Sequence, residues 1–357
     1  MSGEVQMVCS LTGEERATLY RDEGCVLAVE LSEDGSSVAS ADSWGWSVCE
    51  VPSGRIRMCV RLERSDGAVL VEAAFSPCLS WVAAARSSCH NHVVVCCAET
   101  GEVETLLKGH TCKISAVRFS PDGTRIASGD CSGNMFLWDA GTGSALRRWP
   151  DAHAGSVRAL SLHGGLLASG GRDNYIKLWD SESGAPLRTF AGHVAEVTSV
   201  AFAPGGKAVA SGGLDRSVRV WCVESGKAVL YLQGHDARGV CRCQYWSPRP
   251  LLCSIVGHQD WVSSVCFSGD GSLLASSSRD GSCRVWDLAT GEGVRAVNTG
   301  AWVRCVAFGR DCVQVEDRRR AMQEAFAMGL VDRLGAASRM HVLRLEPGVV
   351  RMVLEGV

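Results

Sequence analysis

The chain has 357 residues, a formal net charge of -3 and a pI near 6.3, with acidic and basic residues interspersed. This charge balance argues against direct contact with nucleic acid or an anionic membrane, since both need concentrated positive charge. No stretch approaches the roughly 18 apolar residues of a membrane helix, and the opening lacks the pattern of a secretory leader. We therefore expect a cytoplasmic or nuclear protein without membrane association.

Cysteine is abundant, with 18 residues. Many stand at apolar strand positions where sister segments carry Val, Ala or Leu, among them Cys222, Cys266, Cys283 and Cys305. A buried free cysteine behaves as a small hydrophobic residue, whereas disulfide frameworks are typical of small secreted scaffolds. The cysteines are therefore expected to be reduced.

Residues 1–108 keep a rhythm of short strands and turns. The opening VQMVCSLTGEERATLY is typical of the last two strands of a sheet that begins elsewhere in the chain. Residues 26–54 and 71–101 each predict a four-strand unit with an irregular pattern. The segment therefore predicts two degenerate repeats and part of a third.

From residue 109 the repeat becomes regular. Trp138, Trp179 and Trp221 follow one another at 41 and 42 residues, and each is followed by Gly five positions later. The unit at 192–233 contains four strand-forming runs separated by PGG, GLD and ESG turns. A period of about 40 to 45 residues with four strands is typical of one blade of a β-propeller.

The next step, from Trp221 to Trp286, is 65 residues and breaks the period. Residues 234–256 supply a start and an end but lack two middle strands, which predicts a truncated blade. Residues 257–297 again form a regular unit. Beyond them, 298–357 predict a degenerate blade interrupted by a helical insertion at about 317–334, where Ala, Met, Glu and Arg dominate.

These units resemble the WD-repeat family, named for a Trp-Asp pair that here is Trp138-Asp139, Trp179-Asp180 and Trp286-Asp287. The family's Gly-His dipeptide stands at Gly109-His110, Gly192-His193, Gly234-His235 and Gly257-His258, with Ala152-His153 as a variant. The resemblance implies a buried His-Ser-Asp-Trp network in each blade. Residue by residue, these networks map to His153, Ser169, Asp173 and Trp179, to His193, Ser211, Asp215 and Trp221, and to His258, Ser276, Asp280 and Trp286. The repeat of His110 departs from the pattern, because Ser132 stands at its aspartate position.

The predicted fold is an all-β, WD40-type β-propeller in one domain, residues 1–357, with seven blades or, alternatively, eight. Within it, residues 1–108 form degenerate blades, 109–233 and 257–297 well-formed repeats, 234–256 a truncated blade and 298–357 a degenerate blade.

Recurring His, Ser and Asp resemble a hydrolase triad, but a catalytic site is a single asymmetric constellation, and this set recurs in several blades. No nucleotide, metalloprotease or nucleophile-elbow motif is present in the sequence. Cys89, His90, His92, Cys96 and Cys97 concentrate potential metal ligands, yet adjacent strand residues point to opposite faces. We therefore expect no enzyme activity, no cofactor, no metal and no small-molecule substrate.

Residues on one rim of the ring, before the first strands and in the turns, are the candidates for partner binding. Trp and Arg dominate interface energetics, because each joins a large area to directional polar contacts. The candidates are Trp44, Lys113, Arg172, Glu196, Arg216, Trp261, Arg279 and Trp302. An alternative role for Trp261 and Trp302 is packing onto neighbouring blades.

The resemblance implies a non-catalytic scaffold or adaptor subunit that binds other proteins or peptides. The alternatives are the regulatory sensor half of a multidomain signalling protein, a subunit of an RNA-processing or chromatin particle, and a substrate receptor of a ubiquitin ligase. Many such receptors carry Arg two residues after the Trp-Asp pair, where this chain has Gly141, Glu182 and Ala289.

Overall fold

The computed structural model describes residues 3–9, 15–22, 26–62, 69–87, 91–232, 257–308 and 349–355, apart from residues 33 and 52. Throughout these ranges the regular structure is β-strand, without a helix. No helix long and apolar enough to cross a membrane occurs among them. The predicted truncated blade at 234–256 and helical insertion at about 317–334 lie outside the described residues.

Six blades of four consecutive antiparallel strands make up most of the described chain. Blade 1 contains β3 (Ala28–Leu31), β4 (Ser37–Asp42), β5 (Gly45–Glu50) and β6 (Ile56–Arg61); blade 2 contains β7 (Leu70–Phe75), β8 (Trp81–Arg86), β9 (His92–Cys97) and β10 (Val103–Lys108). Blade 3 contains β11 (Ile114–Phe119), β12 (Arg125–Asp130), β13 (Met135–Asp139) and β14 (Ala145–Trp149); blade 4 contains β15 (Val157–His163), β16 (Leu166–Gly171), β17 (Ile176–Asp180) and β18 (Pro186–Phe190). Blade 5 contains β19 (Val197–Phe202), β20 (Ala208–Gly213), β21 (Val218–Cys222) and β22 (Ala228–Leu232); blade 6 contains β23 (Val262–Phe267), β24 (Leu273–Ser278), β25 (Ser282–Asp287) and β26 (Gly293–Asn298).

A further four-stranded sheet, the joining sheet, takes strands from both ends of the chain. Its order is β2-β1-β28-β27, and its strands are β1 (Gly3–Cys9), β2 (Glu15–Asp22), β27 (Val303–Phe308) and β28 (Val349–Glu355). β1 and β28 pair antiparallel without a register shift, from Gly3 opposite Glu355 to Cys9 opposite Val349. In this sheet the two strands from 298–357 are therefore completed by the two N-terminal strands.

Neighbouring blades approach closely because small residues stand at one position of each second strand. A Cβ atom added at Gly129, Gly170 or Gly212 would lie within 2.6 Å of a methyl carbon of the valine that begins the next blade. Atoms cannot approach that closely without a shift of the backbone or the side chain. The same strand position carries Ala41, Ala85 and Ser277 in the other blades.

Hydroxyl groups on the first strands also join the blades. Ser115 Oγ donates to Val157 O, Thr198 Oγ1 to Val262 O and Ser263 Oγ to Val303 O, each at 2.5 Å. The bond from Thr198 connects blade 5 directly to blade 6, although residues 233–256 separate them in sequence. These two blades are thus direct neighbours in the ring.

Turn chemistry explains why the repeats keep an acidic residue at the end of the third strand. In blade 4, Asp180 Oδ1 accepts hydrogen bonds from the backbone N–H groups of Glu182 and Ser183, at 3.0 and 2.7 Å. A carboxylate there satisfies donors that the turn leaves unpaired. In blade 5, Cys222 stands at this position and its sulfur accepts from Ser225 N at 3.4 Å. The expectation that Cys222 replaces an apolar residue of the sister repeats was therefore wrong, because its equivalents are Asp139, Asp180 and Asp287.

We expect Gly212→Ala to lower the free energy of unfolding by about 1 to 3 kcal/mol, because the new methyl group overpacks the interface of blades 5 and 6. Gly205→Ala is the matched control, since a Cβ atom there meets nothing within 4 Å. Denaturant unfolding of both variants measures the difference. Equal stability of the two would contradict close packing at Gly212.

Candidate functional site

In blade 5 one buried hydroxyl connects three elements. Trp221 Nε1 donates to Ser211 Oγ at 2.8 Å, and His193 Nε2 lies 2.7 Å from the same oxygen. His193 Nδ1 lies 2.9 Å from Asp215 Oδ2. Because the hydroxyl accepts from Trp221, it donates to Nε2, and the proton on Nδ1 is donated to the carboxylate. Every polar atom of this chain of bonds is thereby satisfied.

The same arrangement occurs in blades 4 and 6. His153 lies 2.7 Å from Ser169 Oγ and 2.8 Å from Asp173, and Trp179 donates to Ser169 at 2.9 Å. In blade 6, the distances are 2.7 Å from His258 to Ser276, 3.2 Å from His258 to Asp280 and 2.9 Å from Trp286 to Ser276. The structure thus brings together all twelve residues of the three networks that the sequence assigned.

Blade 3 completes its network with a residue that sequence reasoning did not assign. His110 Nε2 lies 2.7 Å from Ser128 Oγ, Trp138 Nε1 donates to that oxygen at 2.8 Å, and His110 Nδ1 lies 2.8 Å from Asp130 Oδ2. The carboxylate comes from two positions before Ser132 in the chain. In blades 4 and 5 the position of Asp130 is held by Gly171 and Gly213, next to the histidine ring.

The electrostatics of these networks indicate a structural role. Burial alone would raise the pKa of Asp215, but hydrogen bonds from His193 and Ser217 outweigh it and lower the pKa to about 2. Burial is also the main reason why the pKa of His258 is lowered, which keeps this ring neutral. A neutral imidazole whose two nitrogens are both hydrogen-bonded inside the blade has no free position for a substrate.

A paired substitution tests the equivalence of the two aspartate positions. Asp130→Gly should lower the free energy of unfolding by about 1 to 3 kcal/mol, because it leaves the buried Nδ1–H of His110 unpaired. Adding Ser132→Asp recreates the pattern of blades 4 and 5 and should recover most of that loss. Thermal unfolding of the single and double variants measures both effects, and no recovery would contradict the equivalence.

The centre of the ring is a cavity lined by both polar and apolar side chains. This cavity of about 610 Å³ is lined by the innermost strands β3, β7, β11, β15, β19, β23 and β27. Arg118 on β11 lines this cavity, and its Nη1 forms an ion pair with Glu72 Oε1 on the neighbouring strand β7 at 3.0 Å. Burial raises the pKa of Glu72 despite this partner, and burial raises the pKa of the Cys305 thiol to about 12. At neutral pH this thiol is therefore protonated and a poor nucleophile.

The predicted binding residues lie on the upper face, which we define as the rim where first strands begin and second strands turn into third strands. Lys113 and Arg216 are exposed there and form no side-chain hydrogen bond or ion pair with described residues. Trp44 is half-buried in the corresponding turn of blade 1, and its backbone N–H donates to Asp42 Oδ1 at 2.7 Å. The remaining five residues form two groups.

The first group is an ion-pair cluster at the junction of blades 4 and 5. Arg172 Nε lies 3.0 Å from Glu196 Oε1 in an ion pair, and Glu196 Oε2 accepts from Arg158 Nε at 3.2 Å. Arg158 was not among the predicted residues, although it lies one position after the start of β15. Two exposed arginines thus share one carboxylate, an arrangement worth at most about 1 kcal/mol per exposed pair.

The second group, the Trp-Arg cluster, lies at the junction of blade 6 and the joining sheet. The guanidinium carbon of Arg279 lies 4.7 Å from the ring centroid of Trp261 and 5.8 Å from that of Trp302. The guanidinium carbon of Arg304 also lies 5.9 Å from the ring centroid of Trp302. Trp261 is 40% exposed and therefore remains accessible to a partner. Arg304 was also missed by sequence reasoning.

Potential metal ligands do not converge in the described part of the chain. No group of three or more His, Cys, Asp or Glu side chains there is arranged to hold a metal ion. Of the cysteine and histidine segment noted in the sequence, Cys89 and His90 lie outside the described residues, while Cys96 is buried in β9.

Comparison with known proteins identifies the repeat. The family model described as WD domain, G-beta repeat matches residues 101–139, 144–180, 184–222 and 249–287. The chain is 41% identical over 63 residues to "Ribosome biogenesis protein BOP1 homolog" of Drosophila virilis, and equally to that of Drosophila melanogaster, which is 17% of this chain and 8% of each relative. It is 38% identical over 58 residues to "Small ribosomal subunit protein RACK1z" of Oryza sativa subsp. japonica, 16% of this chain and 17% of the relative. The matches thus span only a small part of these relatives.

Proposed function

Since the chain belongs to the WD-repeat family, whose propellers are protein-interaction scaffolds, we propose that it is a non-catalytic adaptor subunit that binds other proteins through its upper face. The observation that carries this proposal is the Trp-Arg cluster of Trp261, Arg279 and Trp302. Clustered Trp and Arg side chains are typical of the residues that dominate binding energy at interfaces. We place this activity in the cytoplasm or nucleus.

Rigidity supports this assignment. Trp261 follows His258 by three residues, so the buried network of blade 6 holds the segment that presents the indole. The backbone N–H of Arg279 also donates to Trp261 O at 2.9 Å. A side chain that is already ordered loses less conformational entropy when a partner binds.

Affinity capture tests the scaffold. A tagged full-length chain carrying Trp261→Ala and Arg279→Ala should lose specific partners that the wild type retains, because both contributors of interface area are removed. The matched control carries Leu187→Ala and Val229→Ala, which remove exposed apolar side chains from the fourth strands of blades 4 and 5. Quantitative mass spectrometry of the captured proteins compares the three. Partner loss in both variants, or in neither, would contradict binding at the Trp-Arg cluster.

A subunit of an RNA-processing particle is the second candidate. The names of the partial relatives, a ribosome biogenesis protein and a small ribosomal subunit protein, favour it. Interspersed charge and a net charge of -3 favour protein contacts over RNA contacts within such a particle. The two candidates are compatible, since an adaptor surface serves a particle as well as a free complex.

We also propose that the ring closes with seven blades, the joining sheet being the seventh. Its support is the continuous register between β1 and β28 and the cavity lined by seven innermost strands. In this sheet β1 and β28 cover each other, so neither is left as an exposed strand edge at the point of closure.

Hydrogen exchange tests closure. Backbone amides of residues 3–9 should exchange as slowly as those of β4 and β8, because β1 is an inner strand of its sheet. Deleting residues 349–357 should speed exchange in 3–9 while leaving blade 4 protected. Fast exchange of 3–9 in the intact chain would show that the joining sheet does not close the ring.

A further inference from the structure

The Trp-Arg cluster contains a buried donor without an acceptor. Trp302 Nε1 is shielded from solvent and has no hydrogen-bond partner within the described part of the chain. A buried indole N–H usually finds an acceptor, and one left unpaired costs free energy. The guanidinium groups of Arg279 and Arg304 lie near the Trp302 ring, and they supply only donors.

Arg279 packs against two indole rings and forms only a long ion pair. Its guanidinium carbon lies over the rings of Trp261 and Trp302, and Asp260 Oδ2 lies 4.0 Å from its Nε. That distance is too long for a hydrogen bond. The terminal guanidinium nitrogens form no hydrogen bond or ion pair with described residues, and the side chain is 48% exposed. The planar edge of the guanidinium is therefore free to donate.

We propose that the Trp-Arg cluster binds the carboxylate of an Asp or Glu side chain in an acidic segment of the partner protein. This inference rests on the proposed adaptor function and names the chemistry that its surface recognises. A carboxylate matches the fork of Arg279 through two parallel hydrogen bonds, and the flanking indoles limit access of water to them. The unpaired Trp302 N–H is shielded in this structure, so it becomes a third donor only where the ring moves on binding.

The surroundings favour a singly charged group. Asp260 stands beside Arg279, and Asp280 lies just below the turn with only 9% of its side chain exposed. A phosphate monoester carries close to two negative charges at neutral pH. Because Asp260 and Asp280 offset the positive charges of Arg279 and Arg304, the second negative charge gains little net attraction at this site. We therefore assign an unmodified acidic peptide rather than a phosphopeptide to this surface.

Blade 4 offers a natural control. Arg172 occupies the same place in its turn as Arg279, directly before the network aspartate. Its Nε lies 3.0 Å from Glu196 Oε1 in a close ion pair, whereas the carboxylate of Asp260 stays 4.0 Å from Arg279 Nε. Comparing variants of the two arginines therefore distinguishes a specific ligand contact of Arg279 from a general effect of positive charge on the upper face.

Fluorescence anisotropy with the full-length chain tests the proposal. The probes are a fluorescein-labelled peptide alternating Glu and Ala, the same peptide with Gln for Glu, and the same peptide with phosphoserine for Glu. We expect the Glu peptide to bind most tightly. Arg279→Gln should weaken it about tenfold, which is the effect of losing a charged hydrogen-bonded pair. Arg172→Gln should leave its affinity unchanged, and Asp260→Asn should tighten it.

Four outcomes overturn the proposal: equal binding of the Glu and Gln peptides, tighter binding of the phosphoserine peptide, equal weakening by Arg172→Gln, or no binding of any probe. Circular dichroism and thermal unfolding establish that each variant is folded. If partner capture depends on Trp261 but the peptides show no preference for Glu, the adaptor function is supported and the proposal of an acidic ligand is wrong. If the Glu peptide depends on Arg279 while capture is unaffected, the adaptor surface lies elsewhere.

Discussion

One buried serine hydroxyl in each of blades 3 to 6 is the constraint on which the rest depends. The serine lies on the second strand of its blade. Its hydroxyl bonds to the histidine that precedes the first strand and accepts a hydrogen bond from the tryptophan of the third strand. Such a fully satisfied network permits one register and penalises others, because a slip would leave buried donors unpaired. Glu196 and Trp261 each follow their histidine by three residues. The position of the upper-face side chains is therefore a consequence of the blade interior.

Within the described residues, most local contacts could be predicted from the sequence, whereas contacts between blades could not. The twelve network residues were predictable, because each set is local to one blade and recurs at constant spacing. Asp130 was not, because its carboxylate reaches the same point in space from a different position in the chain, which only the backbone geometry reveals. The contact of Arg279 with Trp302 depends on how blade 6 packs against the joining sheet, and single-repeat spacing carries no information about that register.

Strand partners at the two chain ends illustrate a second limit. The opening and closing segments have the composition of strands, so their existence followed from the sequence, and the opening was expected to be the last two strands of a sheet begun elsewhere. Their partner did not follow, because pairing Gly3 with Glu355 is a contact between distant parts of the chain. Arg172 and Arg279 also differ in their contacts because each meets a different neighbouring sheet. One turn position meets Glu196 in one neighbour and Trp302 in another, so identical residues acquire different chemistry.

The strand order β2-β1-β28-β27 also has a consequence for synthesis of the protein on the ribosome. β28 lies between β1 and β27, so β1 cannot pair with β28 until residues 349–355 have been translated. The first four-stranded units can assemble meanwhile, since their strands are consecutive and their loops are short. During elongation β1 and β2 are thus a two-stranded ribbon with an open edge. Such an edge favours pairing with other chains until β28 covers it.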